Sequence, residues 1–156
     1  MPRKHSAGLL LFRELAGDFE VLLVHPGGPF WANKDDGAWS IPKGEAEEGE
    51  DLLEAAKREF TEETGAALSA GDFVPLDPVR QPSGKIVHAW AVRGDFDVAT
   101  LRSNVFALEW PPKSGRQAEF AEVDRAAWFS VKTAKQKLIK GQRPILNQFE
   151  ARFGQQ

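Results

Sequence analysis

The chain has 156 residues, enough for a single domain with a buried hydrophobic core. Its 42% hydrophobic and 28% charged content excludes a disordered polyelectrolyte, and its net charge of -3 excludes a general attraction to nucleic acid or anionic membranes. The absence of cysteine excludes a disulfide framework and a thiolate metal site, and the apolar run from Gly8 to Phe12 is too short for a signal-peptide core or a membrane span, so the expected location is cytoplasmic.

In chain order, the apolar runs from Ala7 to Phe12 and from Phe19 to Val24 flank Gly17-Asp18 and predict an antiparallel hairpin. Residues 26–39 carry Pro, Gly, Asn and Asp with Trp31 and Trp39 and show no period, which predicts a long loop. Its two tryptophans are candidates for lining a pocket, with plain packing as the alternative. Glu50 to Thr64 has no Pro or Gly, is rich in Leu, Ala, Glu and Lys, and precedes Gly65 at a C-cap position, so it predicts a helix. Strands are expected over Phe73 to Arg80 and Ile86 to Val92, around the turn Gln81-Pro82-Ser83-Gly84, and over Val105 to Trp110 before Pro111-Pro112. Ser130 reads as the N-cap of a helix from Val131 to about Ile139, and Pro144 as a first-turn residue of a last helix running to Arg152. Strands and helices interleave without the regular alternation of a doubly wound sheet. The expected class is therefore α/β, with helices packed on a mixed sheet.

Within the first helix Glu59, Glu62 and Glu63 stand at i, i+3 and i+4 and project from one face within a turn, beside an apolar stripe of Leu53, Ala56 and Phe60. Like charges so placed destabilise a helix, and partial burial adds to the cost, so a compensating cation is expected. Magnesium suits hard carboxylate oxygens, with manganese as the alternative ion and a solvated acidic face as the alternative reading. Arg58 lies one turn after Glu54 and two turns after Glu50, where it can brace a carboxylate near the helix start. Ahead of the helix, Gly44 permits a close backbone approach to an ion or phosphate, and Lys43 supplies a flexible point charge.

Gly44, Glu50, Arg58, Glu59, Phe60, Glu62, Glu63, Gly65 and Ala66 match the Nudix box, G-x5-E-x7-R-E-U-x-E-E-x-G-U with U bulky and apolar, at every fixed position. The chain thus resembles the Nudix hydrolase family as one domain over residues 1–156, with the box at 44–66. Phe60 and Ala66 are unusual fillings of the U positions and bear on packing rather than chemistry. The resemblance implies an α/β/α sandwich, metal ligation by Glu59, Glu62 and Glu63 with the Lys43 carbonyl joining them, and a structural ion pair between Glu50 and Arg58. It also implies that Glu122 to Phe129 forms the family's late strand. The family's catalytic base lies either in the box, where Glu59 and Glu62 are the candidates, or on a later loop, where Glu122 stands first and Glu119 second.

Trp39-Ser40-Ile41-Pro42-Lys43-Gly44 is similar to the W-x-x-P-K-G approach to the box in Nudix enzymes of dinucleoside polyphosphates, nucleoside triphosphates, RNA 5′ ends and inositol pyrophosphates. The implied reaction is cleavage of a phosphoanhydride bond in a nucleoside diphosphate linked to a further group. Lys43, Gly44, Trp31 and Trp39 are the candidate substrate-binding residues. The expected partner is a small nucleotide; no membrane is expected, nor nucleic acid beyond RNA 5′ ends. Pro82, 16 residues past the box, matches a position associated with ADP-ribose pyrophosphatases, so ADP-ribose or a nucleotide sugar is the alternative substrate. A non-catalytic nucleotide sensor is the alternative of another class. His5, His25 and His88 are scattered and read as structural or surface residues, Trp90, Trp110 and Trp128 as core or strand-face residues, and Lys132, Lys135, Lys137 and Lys140 as a solvated helix face.

Overall fold

The computed structural model describes residues 4–68 and 71–154. The elements in chain order are β1 (His5–Leu15), β2 (Asp18–Pro26), β3 (Lys43–Glu45), α1 (Leu52–Thr64), β4 (Val74–Pro75), β5 (Val79–Arg80), β6 (Ile86–Arg93), β7 (Val105–Glu109), β8 (Gln117–Ala121), β9 (Val123–Ser130), α2 (Val131–Lys137) and α3 (Arg143–Phe153).

Strand β1 organises the main sheet, whose order is β4-β6-β1-β2-β9 with β3 beside β1 and β5 beside β6. The pairing of β1 with β6 is parallel, and the other pairings, with β2, β3 and β9 among them, are antiparallel. The sheet is mixed, as the interleaved sequence pattern requires. Alternation along β1 and β2 sends Leu10, Phe12, Val21 and Leu23 to one face and Ala7, Leu9, Leu11, Leu22 and Val24 to the other. Because both faces are covered, these runs are continuously apolar. Ala134, Leu138, Ile145, Leu146 and Phe149, from α2, α3 and the segment between them, fill the first face, and Ala55, Ala56 and Phe60 of α1 fill the second. The result is a sheet between two helical layers.

Helix α1 starts where Asp51 accepts a hydrogen bond from the Glu54 N–H at 3.1 Å, and ends at Gly65 in the left-handed region, φ 84°. Ser130 caps α2 and Pro144 lies in the first turn of α3, both as expected. The strand expected over Phe73 to Arg80 is instead two two-residue strands, β4 and β5, on the same partner β6. Pro75 and Pro78 have no N–H to donate, so the ladder cannot run through. The strand β8 and the short β3 were not expected; β8 pairs with β7 in a separate two-stranded sheet.

Phe149 is fully buried and packs against Phe12, Phe19 and Phe153 at ring-centroid distances of 4.9, 5.5 and 5.0 Å. Phe149→Ala should therefore cost about 3–5 kcal/mol of stability. In urea titration the midpoint should fall while the slope is kept, whereas a loss under 1 kcal/mol would mean that α3 does not close this face.

Candidate functional site

The guanidinium of Arg58 sits among acids. Its Nε and Nη2 donate to the two oxygens of Glu50 at 2.9 and 3.0 Å, and its Nη1 donates to Glu59 at 2.7 Å and Glu62 at 2.9 Å. Glu54, one turn before Arg58, pairs with Lys57 at 3.3 Å rather than with Arg58. Arg58 and the Glu47 N–H together hold the Glu50 carboxyl down at about 2, while Arg58 itself is raised, first by its hydrogen bond to Glu50.

Glu59 and Glu63 show the opposite behaviour. Burial, then the charge of Glu62, pushes Glu59 up to about 7 despite Arg58. Burial pushes Glu63 up to about 8, against the Lys43 N–H that donates to its Oε1 at 3.2 Å. The two groups lie on the helix edge where the apolar stripe meets β3. A Cβ at Gly44 would overlap the Glu59 carboxylate, so glycine is what allows β3 to pass this close. Among the described residues no three His, Asp or Glu side chains stand ready to hold a metal ion. Glu59 and Glu62 share Arg58, and Glu63 is turned to the Lys43 N–H.

Glu63 and Lys43 open into a cavity of about 250 Å³. It is also lined by Glu122, which stands between β8 and β9, by Ser40, by the apolar Val24, Ala38 and Ile139, and by Trp31. Burial lowers the Lys43 ammonium below the usual lysine range, assisted by Lys85, while Glu63, Glu59 and Glu45 oppose the shift. Glu122 is near enough for its charge to raise Glu63. Glu119 is exposed on the strand face opposite Phe120 and does not line the cavity.

The two tryptophans of the long loop part company. Trp31 is 39% exposed and lines the cavity, with the Lys34 ammonium 5.4 Å from its ring centroid. Trp39 is 4% exposed, edge-on to His25 and Phe129, and its Nε1–H donates to Asp35 at 2.8 Å, so it packs in the core and is no stacking surface. His25 is also fully buried. Its ring nitrogens face two acceptors, the Asp124 carboxylate at 2.8 Å and the Lys34 carbonyl at 2.6 Å, which ties the loop to β9. His5 and His88 meet across the parallel strands at 2.9 Å, away from the cavity. Lys137 is not on a solvated face: it is 18% exposed and pairs with Asp35 at 2.7 Å and Asp36 at 3.0 Å, a second tie on the same loop. Sequence spacing named neither tie, because the partners are about a hundred residues apart. The contact of Arg58 with Glu62 is an i, i+4 pair, the spacing that brings two side chains onto one helix face.

A family model for the NUDIX domain matches residues 2–149. An RNA pyrophosphohydrolase of Caulobacter vibrioides is 44% identical over 50 residues, and the match spans 29% of this chain and 29% of that protein. An RNA pyrophosphohydrolase of Brucella anthropi is 26% identical over 157 residues, covering 85% of this chain and 86% of that protein. Among solved structures, an Ap4A hydrolase of C. elegans in a binary complex superposes with a TM-score of 0.67 at 22% identity, covering 97% of this chain and 98% of the other, a likeness of fold. No helix among the described residues is long and apolar enough to cross a membrane.

A carboxyl whose folded value is raised weakens the fold once it ionises. For Glu63 the penalty begins above its ordinary value of 4.5, grows with pH and is complete above about 8. Glu63→Gln keeps an acceptor for the Lys43 N–H and removes the penalty. In chelator, its Tm should exceed that of the wild type by about 4 °C at pH 9, with the gap closing towards pH 4.5. Equal melting at both pH values would show that Glu63 is not held in a desolvated place.

Proposed function

This chain belongs to the NUDIX domain family, and we propose that it is a magnesium-dependent pyrophosphohydrolase that cleaves a phosphoanhydride bond in a nucleoside triphosphate or dinucleoside polyphosphate. One observation carries the reading: a single cavity is lined by the partly buried Lys43, just ahead of the box, by Glu63 of the box, and by Glu122 and Trp31, with apolar Val24, Ala38 and Ile139 among its other lining residues. The RNA pyrophosphohydrolase names of the two curated relatives and the Ap4A hydrolase name of the structural neighbour agree with a polyphosphate chain as the group cleaved.

Glu59, Glu62 and Glu63 fit a hard dication in kind. They offer only carboxylate oxygens, and burial holds two of them near neutrality, the condition in which a bound dication displaces protons. These three would hold magnesium, or manganese in its place, with the Lys43 carbonyl as the family's additional ligand. The ion supplies charge neutralisation on the phosphoryl oxygens and activation of water. Lys43 holds the phosphate chain through its ammonium, and Gly44 leaves room for the backbone to approach it. Trp31 lies against the base, which gives affinity with little discrimination. Glu122 faces the cavity from outside the acidic cluster and is the general base: a water oxygen bonds to phosphorus, the bridging P–O bond breaks, and the water proton passes to the Glu122 carboxylate. Glu50 and Arg58 act structurally, by fixing the orientation of Glu59 and Glu62. The products are a nucleoside monophosphate and the remaining phosphate-bearing group.

Pro82 has a plain structural role, which supports the polyphosphate reading over the ADP-ribose alternative. Gln81 N–H donates to the Lys85 carbonyl and Gly84 N–H to the Gln81 carbonyl, both at 2.8 Å, so the proline sits in a closed turn after β5 and does not line the cavity.

Glu62→Gln and Glu63→Gln should each lower kcat by at least about a hundredfold at saturating magnesium and weaken manganese binding in calorimetry, with the protein still folded. Near-normal turnover and metal affinity in both would remove the metal assignment. For substrate, kcat/KM for a nucleoside triphosphate or diadenosine polyphosphate should exceed that for ADP-ribose by about tenfold or more, roughly 1.4 kcal/mol in transition-state binding. A tenfold preference for ADP-ribose would reverse the ranking.

A further inference from the structure

The pairing of β2 with β9 is regular from Glu20 to His25 and then slips: His25 faces Arg125, but Pro26 faces Val123. Asp124 is thus the extra residue of a β-bulge, a device that re-aims the side chains around it. Here the bulge reverses the alternation of β9. Val123 packs in the same cluster as Ala126, three residues on, and Glu122 beyond it lines the cavity. The Asp124 carboxylate, left without a partner on β2, turns to the His25 ring, whose Nδ1 lies 2.8 Å away.

The second ring nitrogen, Nε2, lies 2.6 Å from the Lys34 carbonyl. Both partners are acceptors, so each bond takes a ring N–H. Lys34 in turn donates its own N–H to the Trp31 carbonyl at 3.0 Å and holds its ammonium 5.4 Å from the Trp31 ring centroid. Among the described residues no other side chain hydrogen-bonds residues 28–34, whereas Asp35 and Asp36 are held separately by Lys137. The imidazole is fully buried and edge-on to Trp39, with centroids 5.1 Å apart, so its orientation is fixed by packing. One ring therefore joins the bulge beside Glu122 to the turn that carries Trp31, and Glu122 and Trp31 line the same cavity.

We propose that His25 is a positioning residue of the hydrolase, holding the Trp31 turn through Nε2 and the Glu122 segment through Nδ1. The inference rests on the pyrophosphohydrolase reading and adds to it a side chain that does not line the cavity. Its two ends serve different steps. Trp31 meets the nucleobase, so loosening its turn weakens substrate binding. Glu122 takes the water proton, so loosening its segment slows the chemical step.

Asparagine and glutamine separate the two ends, because an Asn amide nitrogen falls near the place of Nδ1 and a Gln amide nitrogen near that of Nε2. His25→Asn keeps a donor for Asp124 and loses the Lys34 bond; it should raise KM for ATP or diadenosine tetraphosphate about tenfold and leave kcat within about threefold of the wild type. His25→Gln keeps the Lys34 bond and loses Asp124; it should lower kcat about tenfold with KM within about threefold. Asp124→Ala breaks the same bond as His25→Gln from a side chain that is 38% exposed, so it should repeat the loss in kcat where a buried variant folds poorly. Melting curves accompany the kinetics. A histidine that only supports the fold would give the Asn and Gln variants the same pattern of kcat and KM, with activity falling in step with Tm. That parallel loss, or wild-type kinetics in all three variants, overturns the proposal. Calorimetry with ATP keeps the two readings apart. If the wild type binds ATP yet hydrolyses neither substrate, the hydrolase reading fails; the hold on Trp31 then stands if His25→Asn weakens ATP binding and His25→Gln does not, and falls if the two bind alike.

Discussion

Arg58 divides its guanidinium between two tasks, gripping Glu50 with Nε and Nη2 while Nη1 reaches Glu59 and Glu62. Four carboxylates in reach of one helix edge would repel one another, and burial of Glu59 and Glu63 makes their charge costlier still. A planar fork with five donors reaches more acceptors at once than the three donors of a lysine could. Glu50 is fixed in turn by the Glu47 N–H ahead of the helix, so the loop before α1 and the acids on its last turns are joined through one side chain. The site is built around this ion cluster, and the neighbouring backbone is shaped to admit it, with Gly44 in place of any residue bearing a side chain.

Such an arrangement trades stability for chemistry. Glu59 and Glu63 are carboxyl groups whose surroundings oppose their charge, and the apolar packing of Ala55, Ala56 and Phe60 beneath them carries the helix in spite of that. Dipositive charge at the helix edge would relieve the penalty. In the proposed enzyme, metal binding and folding would therefore act on the same free energy. Arg58 supplies part of that compensation in its absence, but as one positive charge shared by three acids it leaves Glu63 to burial and to the Lys43 N–H.

Features set by short-range patterns were legible in the sequence. The i, i+3, i+4 acids, the Ser130 cap beside its helix, the Gly65 terminus and the alternating runs of β1 and β2 depend on residues within a turn or a strand of each other. What was not legible depends on long-range geometry. Trp39 looked like a partner of Trp31, yet its indole N–H is taken by Asp35 and its ring by His25 and Phe129, contacts that exist only once β2 and β9 are paired. Lys137 looked solvated because its two aspartates lie about a hundred residues earlier. The β7–β8 hairpin was half visible, since Val105 to Trp110 alternates, but its partner strand Gln117–Ala121 is short and has little β-forming character apart from Phe120.

The placement of Glu122 follows from backbone bonds rather than from its own side chain. The Asn104 N–H donates to the Glu62 carbonyl at 2.8 Å, the Glu122 N–H donates to the Asn104 carbonyl at 2.8 Å, and the Gly27 N–H donates to the Glu122 carbonyl at 2.9 Å. Three hydrogen bonds thus run in series from the acid-bearing helix, through the root of the hairpin, to the start of the loop after β2. Backbone groups lose little freedom on forming such bonds once the sheet is in place, so they fix relative position better than a long side chain does. Glu122 is exposed and free to adjust, while its Cα is held at a set distance from Glu62 and from the loop that carries Phe30 and Trp31. A fixed root with an exposed side chain is the combination that the proposed general base requires. Glu119, three residues earlier on the exposed face of β8, has a strand for its root but no cavity before it.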